Sequence, residues 1–339
     1  MSANTFWDGG ESDFPASGSP RQKLGYALKC ATLAAPMDEW LPWQFLLDDE
    51  RIDLVADTCQ PPETADPDGR ELMIRCGAAL FHLKLALKRF GCLGQVELFP
   101  ELDRHVLVAR VHYGRCHDGG AQAVALFEAM SRGREKSTPW SEVPVSEYLL
   151  QMFEGVAAGE KAWLEFSHCE SSRDRLVELA EPGGRAPMAV HHREALSGNS
   201  RVAQWTRPLL TFVVRVRHSG NIAVETGGSR ADQMAALAVI KTKTDDWHGW
   251  LAAGQAMARV SLQARVSEVS AQIFDQACRS RYVREELRTS IGHKGFAQTI
   301  IGFGSHPSSS WATSSLAWQP ASREGEPGTV FPSRLRMGR

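Results

Sequence analysis

Two well-separated stretches of this chain carry apolar residues at a spacing that only a long, largely buried helix satisfies. In the first, Cys76, Leu80, Leu83, Leu87 and Phe90 recur every three or four residues, which predicts a helix from Gly69 or Arg70 to about Phe90, stopped by Gly91. In the second, Trp250, Leu251, Gly254, Met257, Ser261 and Leu262 mark the inward face of another helix. Thr244 is its predicted N-cap, with Asp245 and Asp246 set to complement the positive end of the helix dipole.

Around these two helices, strands and helices alternate. A first helix is expected over Gln22 to Leu33, ended at Pro36. Trp43 to Leu47 and Arg51 to Ala56 read as a hairpin turned at Asp48-Asp49-Glu50, because Ile52, Leu54 and Ala56 alternate. Gln95 to Phe99 and His105 to His112 are further strands, completing one helix-plus-sheet unit. A second unit begins near Gly119, with a helix over Val145 to Val156 and strands at Ala162 to Phe166, Leu210 to Val216 and Ala235 to Lys241. The last of these is a nearly continuous apolar run, the mark of a strand covered on both faces. Thr299 to Phe303 closes as a final strand. The order of elements in the two units is loosely similar, so an α+β architecture duplicated within the chain is the expectation. The implied division is a disordered tail over 1–20, a first half over 21–130, a second half over 131–304 and an extension rich in Ser, Pro and Gly over 305–339.

Composition narrows the function. With 339 residues, 43% hydrophobic, 23% charged and a formal net charge of -2, the chain can bury a large core and carries no excess of one sign. Nucleic acid and membrane surfaces are therefore not expected partners, since both demand clustered charge. Cys30, Cys59, Cys76, Cys92, Cys116, Cys169 and Cys278 are scattered without a CxxC pair. They read as small buried hydrophobes of a reducing compartment rather than a disulfide framework or zinc site. The first twenty residues lack the apolar stretch of a signal peptide, and no later run is long enough to span a bilayer, so a cytoplasmic location is expected. The adjacent His191-His192 pair has no metal spacing, and there is no Gly-x-Ser-x-Gly elbow, P-loop or Rossmann glycine fingerprint.

Four stretches resemble the Acg-type branch of the nitroreductase family, and together they span most of the chain between about 22 and 304. They are Ala34-Ala35-Pro36 with Pro42-Trp43, Asp66-Pro67-Asp68-Gly69-Arg70-Glu71-Leu72 continuing through Cys76-Gly77-Ala78-Ala79-Leu80, Arg132-Gly133-Arg134-Glu135-Lys136 with Pro139-Trp140 and Val143-Pro144-Val145, and Trp250 to Ala256 followed by Phe274-Asp275-Gln276 and the Arg284 to Arg288 helix. The resemblance implies a nitroreductase-like fold duplicated in one chain, an internal pseudo-dimer holding FMN between its halves, in a molecule that is a monomer or a homodimer. It implies an oxidoreductase drawing on NAD(P)H or another donor, with a small-molecule acceptor.

A flavin requires cations or amides for its phosphate, polar groups for its ribityl chain and an apolar floor for its ring. Arg132, Arg134 and Lys136 alternate, so an extended segment would project them to one side; spacing alone equally describes a solvated basic loop. The resemblance assigns them, with Ser137, to the cofactor. Trp43, Trp40 and Trp140 could wall the ring or fill the core. Gly254 within a strong helix signals close approach, either of another helix or of the cofactor. Gln276 matches a family position near the ring, while Arg70 and Glu71 read as a helix-start pair bonding across the halves. No side chain stands out as a catalytic acid or base. Two departures from the family pattern favour an alternative, an FMN-sequestering or flavin-free protein that kept the fold. Met37 to Leu41, with acidic Asp38 and Glu39, replaces a polar loop, and 305–316 lacks the family's paired arginines.

Overall fold

The computed structural model describes residues 13–33, 43–56, 68–101, 107–116, 119–131, 144–167, 169–180, 212–214, 234–292 and 294–305. Helix α1 (Pro20–Leu33) leads to the hairpin β1 (Trp43–Leu47) and β2 (Arg51–Ala56), then α2 (Arg70–Arg89), β3 (Leu93–Leu98), β4 (Leu107–Tyr113) and α3 (Gly120–Ser131). The second half runs through α4 (Glu147–Ala158), β5 (Ala162–Phe166), α5 (Glu170–Ala180), β6 (Phe212–Val214), β7 (Ala236–Thr242), α6 (Trp247–Val266) and β8 (Val269–Phe274). A 3₁₀ turn (Gln276–Arg279), α7 (Arg281–Ser290) and β9 (Phe296–Ser305) complete it.

The strands form two antiparallel sheets, ordered β3-β4-β2-β1-β6 and β5-β7-β9-β8. Read from the other edge, the second sheet is β8-β9-β7-β5, and its strands take the places of β3, β4, β2 and β1 in the first. Helices α1 and α4 open the two halves, while α2 and α6, each 20 residues long, occupy the same place in both. The chain is thus an α+β fold with its architecture duplicated. The second copy carries α5 and β6 between β5 and β7, and α7 between β8 and β9.

One element crosses over. The short strand β6, read from the sequence as part of the second unit, pairs antiparallel with β1 and extends the first sheet, with Phe45 opposite Val214. Alternation does not record which sheet edge a strand joins, which is why its partner was not legible.

Sheet positions follow from where apolar residues fall. Trp43, Phe45 and Leu47 on β1 and Ile52, Leu54 and Ala56 on β2 face the main core. Strand β7 is buried along nearly its whole length because Ala238 and Ile240 join that core while Leu237 and Val239 join a second cluster with Leu176, Leu287 and Ile300, beneath α5 and α7. Its one charged residue, Lys241, is fully buried, and its ammonium donates to Glu165 Oε2 at 2.8 Å and to the carbonyls of Ile291 and Gly292 at 2.9 and 2.6 Å. Without such acceptors an ammonium there would cost several kcal/mol; with them it ties the end of α7 to the sheet.

Candidate functional site

The two long helices meet where neither has a side chain. Gly77 and Gly254 are each the eighth residue of their helix, and a methyl on either would strike the backbone of the other. The one on Gly254 would meet the Ile74 carbonyl and Ala78 N; the one on Gly77 would meet the Leu251 carbonyl and Gln255 N. Those neighbours occupy corresponding positions in the two helices, so the crossing itself is pseudo-symmetric. The close approach read from Gly254 is that of helix α2.

This crossing sends the start of each helix into the opposite half and creates two seams. At the α2 seam, Arg70 is buried and donates from Nε to Gln298 Oε1 at 2.9 Å and from Nη2 to the Gln298 carbonyl. Gln298 is the extra residue of a β-bulge, since Ile240 pairs with Thr299 but Lys241 pairs with Ala297. The bulge turns its amide toward Thr242 Oγ1 at 3.0 Å and Asp245 Oδ1 at 3.1 Å, and Asp245 also accepts from Trp250 Nε1 at 2.7 Å. Beside it, Glu71 pairs with Arg279, whose Nη2 donates to Oε1 at 3.0 Å while its Nε lies 2.9 Å from Oε2, and with Arg75 at 2.7 Å. Burial alone would raise the Glu71 carboxyl, but the two guanidiniums outweigh it and hold its pKa below the ordinary glutamate value. Arg70 and Glu71 therefore do bond across the halves, as their place at a helix start indicated.

The corresponding α6 seam is aromatic. Phe99 follows β3 as Asp275 follows β8, and its ring meets His248 at 4.7 Å and Trp247 at 6.3 Å, both edge-on. Its φ of 48° is unusual for a bulky residue.

The residues singled out in the sequence fall as follows. Arg132, Arg134, Lys136 and Ser137 lie outside the described residues, as do Met37 to Leu41, Trp140 and the tail from 306 onward. Trp43 is buried at the start of β1, edge-on to Phe45 at 4.9 Å. Gln276 opens the 3₁₀ turn whose last residue, Arg279, grips Glu71; its side chain is not among those described. Sequence reasoning missed Gln298, whose role comes from a bulge that no motif announces. It also placed the α6 cap at Thr244. The cap is Asp246, which accepts from Gly249 N at 2.9 Å, while the Thr244 hydroxyl donates to Asp246 Oδ1. Cys30, Cys76, Cys92 and Cys278 are buried as expected, but Cys116 is half-buried and Cys169 exposed. Hydrogen bonds from Ser171 and Ser172 bring the Cys169 thiol down to about 7. Among the described residues no group of three or more His, Cys, Asp or Glu is placed to hold a metal, and no helix is long and apolar enough to cross a membrane.

Fold and seams together define a class: an α+β protein of two like halves, joined by crossed helices whose first turns reach into the opposite half. No family model matches the chain. It is 24% identical over 311 residues to Mycobacterium tuberculosis Rv3131, provisionally named a NAD(P)H nitroreductase, covering 87% of each chain. It is 28% identical over 87 residues to the M. tuberculosis protein acg, named in the same way, covering 26% of each. An NADPH:FMN oxidoreductase from Vibrio harveyi, solved with NAD+, overlays 55% of this chain and 70% of its own at 9% identity with a TM-score of 0.36. The chain thus resembles relatives named as nitroreductases, acg among them, in keeping with the resemblance of its motifs.

Proposed function

We propose that the chain is an FMN-dependent oxidoreductase of nitroreductase type, an internal pseudo-dimer that passes hydride from NAD(P)H or another donor to a small-molecule acceptor. The observation that carries this reading is the duplicated fold with its pseudo-symmetric helix crossing, in a chain similar over 87% of its length to a protein provisionally named a NAD(P)H nitroreductase. An orphaned polar group beside the α2 seam supports a bound flavin. Thr299, 1% exposed and next to Gln298, carries a hydroxyl with no hydrogen-bond partner among the described residues. A polar ring edge would satisfy such a group, which otherwise costs about 1–3 kcal/mol.

Bound flavin would supply the hydride chemistry through N5. Arg132, Arg134, Lys136 and Ser137 would hold its phosphate, Trp43 would back the apolar side and Gln276 would face the ring edge. Gly254 contributes by letting α2 and α6 meet, which sets the seam's shape. The acidic Asp38-Glu39 pair favours a second reading, storage of FMN without turnover, because it replaces the polar loop of the family. Anaerobic titration of the flavin-loaded protein with NADPH separates the two. Bleaching of the flavin band at one equivalent of NADPH supports the enzyme, and a band unchanged by excess NADPH but bleached by dithionite supports storage.

A further inference from the structure

Outside the seams, the end of α2 and the exit of β4 bring two cysteines onto adjoining segments. Gly91, at a φ of 64°, turns the chain out of α2, and a methyl there would lie 3.4 Å from the Cys116 carbonyl. The Cys92 carbonyl accepts from Gly114 N at 3.1 Å, and the Gly91 carbonyl accepts from Cys116 N at 3.3 Å. Gly94 and Gly114 let the segments approach so closely that a side chain on Gly114 would run into the Gly94 backbone. Cys92 is 3% exposed and Cys116 half-buried. Burial raises the Cys92 thiol, the Lys23 ammonium on α1 counters it, and a charge on Cys116 is felt at Cys92, so the two sulfurs are electrostatic neighbours. Neighbouring positions across antiparallel segments lie about 5–8 Å apart, overlapping the roughly 4.4–6.8 Å between disulfide Cα atoms.

We propose that Cys92 and Cys116 are a redox-responsive pair that closes to a disulfide on exposure to a hydroperoxide. The more accessible Cys116 sulfur attacks the peroxide: an S–O bond forms, the O–O bond breaks, and the alcohol, or water from hydrogen peroxide, departs. Cys92 sulfur then attacks the resulting sulfenic acid, forming the S–S bond and releasing water. Two thiols lose two hydrogens in all, and one peroxide is reduced. The bond would staple the start of β3 to the segment leading into α3.

The test uses the full chain carrying Cys169→Ser, which removes the exposed thiol as a competing target. After brief treatment with hydrogen peroxide and alkylation, a non-reducing tryptic digest is expected to contain peptide 90–104 joined to peptide 116–132, at a mass two hydrogens below their sum. Dithiothreitol should separate them. Adding Cys92→Ser should leave Cys116 as a sulfenic acid that dimedone traps. Recovery of the two peptides unlinked, with Cys92 still open to alkylation after unfolding, would overturn the proposal, as would Cys116 joined to any other cysteine.

Discussion

Gly77 and Gly254 illustrate how much of this molecule depends on what a residue lacks. At either position a single methyl meets carbonyl and amide groups of the opposing helix, which cannot move without separating the halves. Gly254→Ala is therefore expected to destabilise by about 1–3 kcal/mol or more, as overpacking does. Gly155, on the exposed side of α4 with open space at its Cβ, is the counter-case. Gly155→Ala should gain about 0.5–1 kcal/mol from helix propensity. Urea denaturation of both variants checks the pair, and equal effects would contradict the crossing. Glu71 sets a different dependence. Its folded pKa lies below the unfolded value, so its contribution is complete above the unfolded pKa and is lost as pH falls through the folded one. Stability is expected to fall with acid below about pH 4.5, and Glu71→Gln to flatten that part of the profile. A variant curve parallel to the parent would show that the Arg75 and Arg279 pairs do not matter.

Among the elements, α6 shows what decides a helix start. Asp246 caps it and Thr244 buttresses Asp246, so Asp246→Ala should cost about 1 kcal/mol and Thr244→Ala clearly less, by chemical denaturation. Loss of equal stability in both would restore Thr244 as the cap. Elements with a strong period were legible: β1, β2 and β5 fall where alternation put them, and α2 and α6 where the apolar face did. Helices α3 and α5 and strand β8 were not. α5 is short and mostly polar, anchored by Leu176 and Ala180, and β8 buries only Val269 and Ser270, so neither carries a full pattern. Arg70 and Glu71 were legible as a cross-half pair because a helix start with adjacent opposite charges has few other uses. Gln298 was not, because its orientation comes from a bulge set by pairing with β7.

Across the whole molecule, duplication is the organising fact. Two sheets of like order and two helices crossing at matched glycines give two related seams, which have diverged in chemistry. One is locked by Arg70, Glu71, Arg279 and Gln298, and the other is packed by Phe99, Trp247 and His248. Duplication was legible in the similar order of elements in the two halves, and the family-like motifs, which fall on both long helices and on the turn after β8, agree with it. The flavin reading depends on this duplicated fold holding FMN. Its most direct test is the visible spectrum of the protein purified without added flavin, with mass identification of whatever heat releases. The expected result is a yellow protein releasing FMN at close to one equivalent. A colourless protein that also fails to take up added FMN would contradict it.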